Sequence, residues 1–392
     1  MRYFNYLSDE QLQDLFYMPP QSTSVSDKSL LEYALGATLY MPATRKTVAQ
    51  DIAAGKLKGL TSMVLCLEDA IGDGEVVAAE EMIVAQIRLL AAAINKGELL
   101  PERVPLIFLR VRDVQQMVRI SERLAYDLEL LTGFVFPKFT PVNGVAYFEA
   151  LAKINRRTSK PLYGMPILES PEYIYIESRC EQLQAAQVLL NQFRDLVLNV
   201  RIGATDLCGL FGLRRSPDET IYDIALIKDS IADIVNIFTR PDSMFVVSAP
   251  VWEFFSSGRV LKPLLRQSPF VRLGRKGGQL RDQLVCRYID GLIHEVILDK
   301  ANGLTGKTII HPSHIRPVQS LYVVTHEEYI DALSIINNGK NGKSEVGVIA
   351  SQYANKMNEI KPHLRWAQKI LIKSRVYGVF NEQHNFTSLL EA

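Results

Sequence analysis

The chain has 392 residues, of which 47% are hydrophobic and 22% charged, a balance typical of a globular protein. Its 44 basic and 43 acidic residues nearly cancel, which argues against nucleic acid or an anionic membrane as a partner. The sequence shows neither a run of ~20 apolar residues nor a signal-peptide pattern, and its four cysteines stand singly, so we expect a cytoplasmic protein without membrane spans.

Short apolar runs rich in β-branched residues alternate with amphipathic stretches, a pattern that predicts parallel strands joined by crossover helices. Helical spacing is clearest in residues 78–94 and 178–197, which we predict to be outer helices. Eight strands are predicted: 37–42, 62–69, 106–112, 133–139, 162–170, 199–207, 244–250 and 306–312. Eight parallel strands close a barrel, so the predicted fold is an α/β TIM (β/α)₈ barrel.

Segments outside this repeat are expected to decorate the barrel. We predict the barrel with an N-terminal extension over residues 1–320, and a C-terminal helical lid or oligomerisation segment over 321–392. The connection before the last strand contains RLGRKGGQLR (272–281), which is basic and rich in glycine. Such a loop can cradle phosphate, although it matches no fixed phosphate-binding spacing and a solvated loop is the favoured interpretation.

Two acidic residues close consecutive predicted strands. Glu169 ends the fifth strand and Asp206 lies near the end of the sixth. The carboxyl ends of all barrel strands open on one face, so both carboxylates are expected at the mouth of the barrel. Mg²⁺, or Mn²⁺, suits a site with two carboxylates whose other positions go to water and substrate oxygens. Helix capping or pairing with arginine remains the alternative.

Other polar residues follow neighbouring strands. Arg110 presents a planar guanidinium suited to a substrate carboxylate, with Arg112 as a second choice on the same face. Glu68 and Asp69 close the second strand and are candidates to order water or lysine around the metal, or to begin a helix. Lys138 ends the fourth strand and is expected to pair with these carboxylates, or to act as a Schiff-base nucleophile.

The first strand and the last add further candidates. Three residues at or just beyond the first strand are expected to contact the substrate: Tyr40, Arg45 and Lys46. The two basic residues are candidates to bind an anionic group of the substrate. His311 and His314 have a spacing that suits metal binding, but Pro312 breaks the helix that this spacing needs, so a structural turn is preferred.

Taken in order, these motifs resemble the citrate lyase β-subunit and HpcH/HpaI aldolase superfamily, and most closely its divergent branch associated with tellurite-resistance gene clusters. The motifs are LYMPATR, LCLEDAI, LRVR, VFPK, PILES, GATDL and GLTGKTIIHPSHI. The resemblance implies a TIM barrel in which Glu169 and Asp206 bind magnesium and Arg110 holds a 2-oxo acid. It also implies a carbon–carbon lyase that cleaves or condenses an acyl thioester, of coenzyme A or an acyl carrier, through a metal-stabilised enolate.

The chain departs from the family pattern at three places. Gly36 replaces a basic residue and Cys66 replaces the first acid of the strand-two motif, which weakens the case for a standard thioester pocket. The family's catalytic aspartate, in a C-terminal segment that often reaches a neighbouring subunit, has Glu359 or Asn358 in its place. The resemblance implies a homotrimer or homohexamer. A metal-dependent aldolase acting on a phosphorylated substrate, and a non-catalytic barrel subunit of a larger complex, remain alternatives.

Overall fold

The computed structural model describes residues 1–255, 274–275, 278, 287–339 and 347–392. Its strands in chain order are β1 (Phe16–Met18), β2 (Ala37–Pro42), β3 (Ser62–Cys66), β4 (Leu106–Arg110), β5 (Gly133–Phe136), β6 (Tyr163–Leu168), β7 (Val200–Ile202), β8 (Val247–Trp252), β9 (Lys307–Ile309), β10 (Val348–Ala350), β11 (Met357–Glu359) and β12 (Val379–Phe380).

Helices fill most of the connections between these strands. They are α1 (Asp9–Leu15), α2 (Lys28–Leu31), α3 (Val48–Ala53), α4 (Val76–Asn95), α5 (Val114–Leu124), α6 (Pro141–Asn155), α7 (Arg179–Gln192), α8 (Ala204–Leu210), α9 (Ala225–Phe238), α10 (Arg287–Ala301), α11 (Ile315–Tyr322), α12 (His326–Asn338), α13 (Ile360–Tyr377) and α14 (Phe386–Glu391). None of them is long and apolar enough to cross a membrane.

The predicted barrel is confirmed. Strands β2 to β9 are hydrogen-bonded in sequence order into a closed cylinder, and each neighbouring pair is parallel. Closure occurs between β2 and β9, where Ala37 lies opposite Lys307. Crossover helices cover the outside, so the strands are buried on both faces, as the near-continuous apolar runs of the sequence require.

The centres of the eight strands agree with the prediction, but several strands end earlier than predicted. Strand β7 covers only Val200–Ile202, and Asp206 lies in the first turn of α8 rather than on the strand. Glu169 lies directly after β6, and Lys138 lies two residues beyond β5. The polar residues therefore stand on the loops and the helix that follow the strands, which is the usual place for active-site residues in this fold.

The apolar core has two layers. Side chains that include Val64, Phe108, Val135 and Met165 fill the interior of the barrel. A larger cluster packs the outer faces of the strands against the helices. Because the interior is filled with side chains, the barrel is a solid support, and chemistry is confined to its ends.

The N-terminal extension and the C-terminal segment pack against each other. Strand β1 pairs with β12 in antiparallel orientation, and the hydroxyl of Tyr377 donates a hydrogen bond of 2.5 Å to the carbonyl of Tyr33. Helices α12 and α13 form a helical pair within the C-terminal segment. The division at residue 320 stays a prediction, and all but three residues of the basic, glycine-rich 272–281 run lie outside the described residues.

Candidate active site

Arg110 organises the mouth of the barrel. It is the last residue of β4, its side chain is buried, and its Nη2 atom faces three carboxylates. The distances are 2.7 Å to Oε2 of Glu68, 3.0 Å to Oδ2 of Asp69 and 3.0 Å to Oε1 of Glu169. Three predicted site residues from two other strand ends thus converge on the guanidinium of Arg110. Charge-assisted contacts of this kind are strong and directional.

Lys138 closes the other side of this group. Its Nζ atom lies 2.6 Å from Oε1 of Glu68 and 3.7 Å from Oδ1 of Asp69. Its backbone adopts a φ of 46°, and its amide donates a 2.8 Å hydrogen bond to Oε1 of Glu169. Its carbonyl accepts a 2.9 Å hydrogen bond from the side chain of Asn143, in the first turn of α6. A left-handed lysine stays in place only where its surroundings hold it, and here both sides of the residue are held.

Glu169 and Asp206 lie side by side, as the sequence predicted. The two carboxyl groups are close enough for each to act on the protonation of the other. Burial raises the pKa of Glu169 to about 7 against the opposing effect of Arg110, and burial also raises the pKa of Asp206. A Cβ atom on Gly203 would lie 2.2 Å from Oε2 of Glu169, so this position admits the carboxylate because it carries no side chain.

The charges at the mouth fit a divalent cation. Four carboxylates (Glu68, Asp69, Glu169 and Asp206) face two cations (Arg110 and Lys138), which leaves two negative charges when all are ionised. Burial raises the pKa of Glu68 as well, whereas hydrogen bonding to Glu68 and the nearby cations lower the pKa of Asp69 despite its burial. A bound divalent cation would balance this excess and favour the ionised forms.

Within the described part of the chain, no three or more His, Cys, Asp and Glu side chains are arranged to hold a metal ion. A pair of carboxylates is nevertheless the donor set that Mg²⁺ uses, because this ion keeps several waters and substrate oxygens as ligands. The adjacent carboxylates of Glu169 and Asp206 therefore fit magnesium rather than a closed structural site.

The structure favours one of the two roles predicted for Lys138. The hydrogen bond to Glu68 raises the pKa of Lys138, so its amine is protonated at neutral pH. A Schiff-base nucleophile needs an unprotonated amine. The structure also favours Arg110 over Arg112 as the substrate-binding arginine, because Nη1 of Arg112 lies 2.6 Å from Oδ1 of the exposed Asp73.

Beneath this cluster lies a residue that the sequence analysis missed. Arg201, on β7, is 1% exposed; its guanidinium lies 5.4 Å from the ring centre of Tyr40, and its Nη2 donates to Thr308. Tyr40 is close enough to Arg110 and Glu169 for their charges to act on its hydroxyl, so it lies near the carboxylate cluster. The available signal was a single arginine inside the apolar run of a predicted strand, which places a charge in the barrel interior.

Three predicted residues lie elsewhere. Arg45 is paired with Asp51, with Nη2 to Oδ2 at 2.7 Å, and Lys46 is exposed beside it. Glu359 is exposed on β11, at the start of α13. None of the three makes a hydrogen bond or ion pair with the carboxylate cluster among the described residues. Asn358, the other C-terminal candidate, is buried and donates a 2.9 Å hydrogen bond to Asp331, which is a structural role.

His311 and His314 form the turn that was predicted for them. Residues Pro312–His314 make a single 3₁₀ turn that begins at His311, whose ring nitrogen accepts from the amide of Ser313. His314 is fully buried, and burial lowers its pKa to about 4. The two imidazoles therefore have structural roles.

These observations define a TIM-barrel protein with an acidic, arginine-bearing site at the carboxyl ends of its strands. Residues 29–379 match the family described as carbon–carbon bond lyases of the TIM-barrel fold, and the chain belongs to that family. The resemblance inferred from the motifs is thereby confirmed. No protein of curated function matches the sequence significantly.

Solved structures agree on the fold. CitE from Mycobacterium tuberculosis, in complex with magnesium, acetoacetate and coenzyme A, is 16% identical; the match covers 88% of this chain and 99% of CitE, with a TM-score of 0.51. A citrate lyase from Burkholderia xenovorans LB400 is 12% identical, with 91% and 96% covered and a TM-score of 0.59. At such identities the likeness establishes the fold alone.

Proposed function

We propose that the protein is a magnesium-dependent carbon–carbon bond lyase that cleaves or condenses an acyl thioester and a 2-oxo acid. The observation that carries the proposal is the adjacent pair of buried carboxylates, Glu169 and Asp206, at the mouth of a barrel that belongs to a family of carbon–carbon bond lyases. Citrate-lyase-like CitE, which shares the fold, has been solved with magnesium, acetoacetate and coenzyme A.

In this proposal Glu169 and Asp206 hold the magnesium ion. When bound, the ion supplies Lewis-acid stabilisation of the enolate charge that develops as the carbon–carbon bond breaks or forms. Arg110 exchanges one of its carboxylate partners for the carboxylate of the oxo acid, which its planar donors fit. Lys138 keeps Glu68 and Asp69 in place, and Tyr40 forms the floor against which the substrate rests.

Glu359 is proposed as the acid or base of a neighbouring subunit. It is exposed at the start of α13 and lies apart from the cluster of its own chain. A homotrimer or homohexamer would allow this segment to complete the site of another copy, which is how we account for its exposed position.

A second candidate is an aldolase reaction on a phosphorylated substrate without a thioester. Gly36 favours it, because a Cβ atom there would lie 2.2 Å from the hydroxyl oxygen of Tyr3, so the N-terminal extension fills the space of the family's basic side chain. Cys66, at the end of β3, is buried beside Arg110 and supplies no carboxylate. Lys46, which is exposed just beyond the first strand, is a basic residue available to such a substrate.

The proposal is tested with a panel of coenzyme A thioesters and 2-oxo acids, assayed for carbon–carbon cleavage and condensation with Mg²⁺, with Mn²⁺ and with EDTA. We expect turnover that EDTA abolishes and that Glu169→Gln and Asp206→Asn each lower by at least about 10²-fold. Glu181→Gln, an exposed acid on α7, is the matched control. Magnesium binding without any product across the panel would instead identify a non-catalytic barrel, and EDTA-resistant turnover would refute the metal site.

A further inference from the structure

A basic cavity lies at the end of the barrel opposite the candidate active site. It occupies about 480 Å³ between the start of β9 and the C-terminal helix α13. Four cationic side chains line it: Lys300 at the end of α10, and Arg365, Lys369 and Lys373 on α13. The three residues of α13 recur every four positions, so they lie along one face of that helix.

These cations outnumber the acidic groups beside them in the described part of the chain. Lys300 donates a hydrogen bond to the carbonyl of Leu321, but none of the four forms a salt bridge among the described residues. Glu328 is the one acidic side chain among the described residues that line the cavity, and its charge acts on Lys300 and Lys373. Four cations against one carboxylate leave an excess of positive charge in the cavity when all are ionised.

The crowding of positive charge in this cavity affects the pKa of Lys373. This residue is largely buried, and that burial together with Lys300 and Lys369 lowers its pKa to about 8. The helix dipole stabilises a cation in the last turn of a helix, which accounts for Lys300 at the end of α10 but not for Lys369 in the middle of α13. The dipole does not account for cations from two helices that share one cavity, where they repel one another.

The remaining walls indicate what kind of anion fits. Tyr33, Phe245 and Trp366 line the same cavity, and Trp366 is 37% exposed. A second cavity of about 660 Å³ adjoins it and shares Tyr33, Arg365 and Lys369. Volumes of this order hold an organic ligand rather than a single inorganic ion. Aromatic walls suit a planar group, and lysines suit phosphate.

We propose that this cavity binds an organic polyphosphate of nucleotide size, with its phosphates on the four cations and its planar part against Trp366. This site is separate from the barrel mouth and does not depend on the reaction carried out there.

The test uses the full chain in buffer with EDTA, so that no metal occupies the barrel mouth. ATP, inorganic pyrophosphate and adenosine are the probes, measured by calorimetry and by tryptophan fluorescence. We expect ATP to bind more tightly than pyrophosphate and to quench emission, adenosine to give no binding, and 500 mM KCl to weaken binding at least tenfold relative to 50 mM. Trp252 is fully buried, so the quenching should disappear in Trp366→Phe.

Variants locate the site. Lys369→Gln and Lys373→Gln should each weaken ATP binding at least tenfold. Arg365→Gln should also weaken it at least tenfold, and because Arg365 is exposed this variant is expected to fold normally. Lys361→Gln removes a charge from the exposed start of the same helix and should change affinity less than twofold. Glu169→Gln should leave binding unchanged. The proposal is overturned if neither phosphate probe binds, if Lys361→Gln is as harmful as Lys369→Gln, or if Glu169→Gln abolishes binding.

Discussion

Replacing Glu169 by glutamine should stabilise the metal-free protein at pH 8, although it removes a buried ion pair. The pKa of Glu169 rises from 4.5 to about 7 on folding, chiefly because the carboxyl is buried, so the folded protein prefers its neutral form. The folded state therefore binds the proton more tightly than the unfolded state. The contribution of Glu169 to the stability of the folded state is greatest below pH 4.5 and is lost as the pH rises through 7.

The size of the effect follows from that pKa. With its pKa raised from 4.5 to about 7, the ionised Glu169 lowers the free energy of unfolding by about 3 kcal/mol at pH 8. Glutamine is neutral and similar in shape, so Glu169→Gln should recover a part of this cost, while Arg110 keeps Glu68 and Asp69 as partners. Magnesium should stabilise only the parent protein, because Glu169→Gln lacks one of the two proposed ligands. At a hundredfold excess over its dissociation constant, it stabilises a protein that binds it by about 3 kcal/mol.

Urea unfolding at pH 5.5 and pH 8, with and without magnesium, measures these differences. Glu169→Gln should raise the free energy of unfolding at pH 8 without magnesium, change it less at pH 5.5, and abolish the stabilisation by magnesium. Glu181→Gln, which is exposed, should behave as the parent protein does. Destabilisation of the metal-free protein by Glu169→Gln at pH 8, or equal stabilisation of both proteins by magnesium, would contradict this prediction.

Gly203→Ala should weaken magnesium binding at least tenfold in calorimetry, because its Cβ displaces Glu169, whereas Gly209→Ala, with open space around it, should not. Sodium borohydride should trap no adduct of Lys138 with pyruvate, since the amine is protonated; a mass increase on this lysine would restore the Schiff-base mechanism. Mixing inactive Glu359→Gln and Glu169→Gln chains should restore turnover if Glu359 serves a neighbouring subunit; no recovery in verified mixed oligomers would remove that role.

The sequence predicted the barrel because each strand had to be buried on both faces, which requires an apolar run that periodicity analysis detects. It predicted strand ends less well. Residues 203–207 have apolar and small side chains that fit a strand, but Gly203 ends β7 and α8 begins at Ala204, which places Asp206 in a helical turn. The position beside Glu169 was still correct, since the first residues after adjacent strands share one face of the barrel.

The positions of side chains close to strand ends were easier to predict than the positions of those further along the loops. Arg110, Glu68 and Lys138 follow strands whose directions fix where they point. Arg45 lies in a loop, where local geometry turned it to Asp51, and no periodicity reports such a contact. Arg201 was missed for the opposite reason, because its strand was recognised by apolar character and the arginine was treated as an exception.

The arrangement at the mouth combines local backbone strain with unbalanced charge. Lys138 holds a left-handed backbone, a conformation that costs on the order of 1–3 kcal/mol for a residue with a side chain. That conformation aims its amide at Glu169, the same carboxylate that Arg110 contacts, while the ammonium of Lys138 is directed to Glu68. One oxygen of Glu169 is therefore fixed by two donors, and its other oxygen lies over Gly203. A carboxylate held this way, beside Asp206, is ready to bind a cation with little rearrangement, because the ligand geometry is already set by the fold.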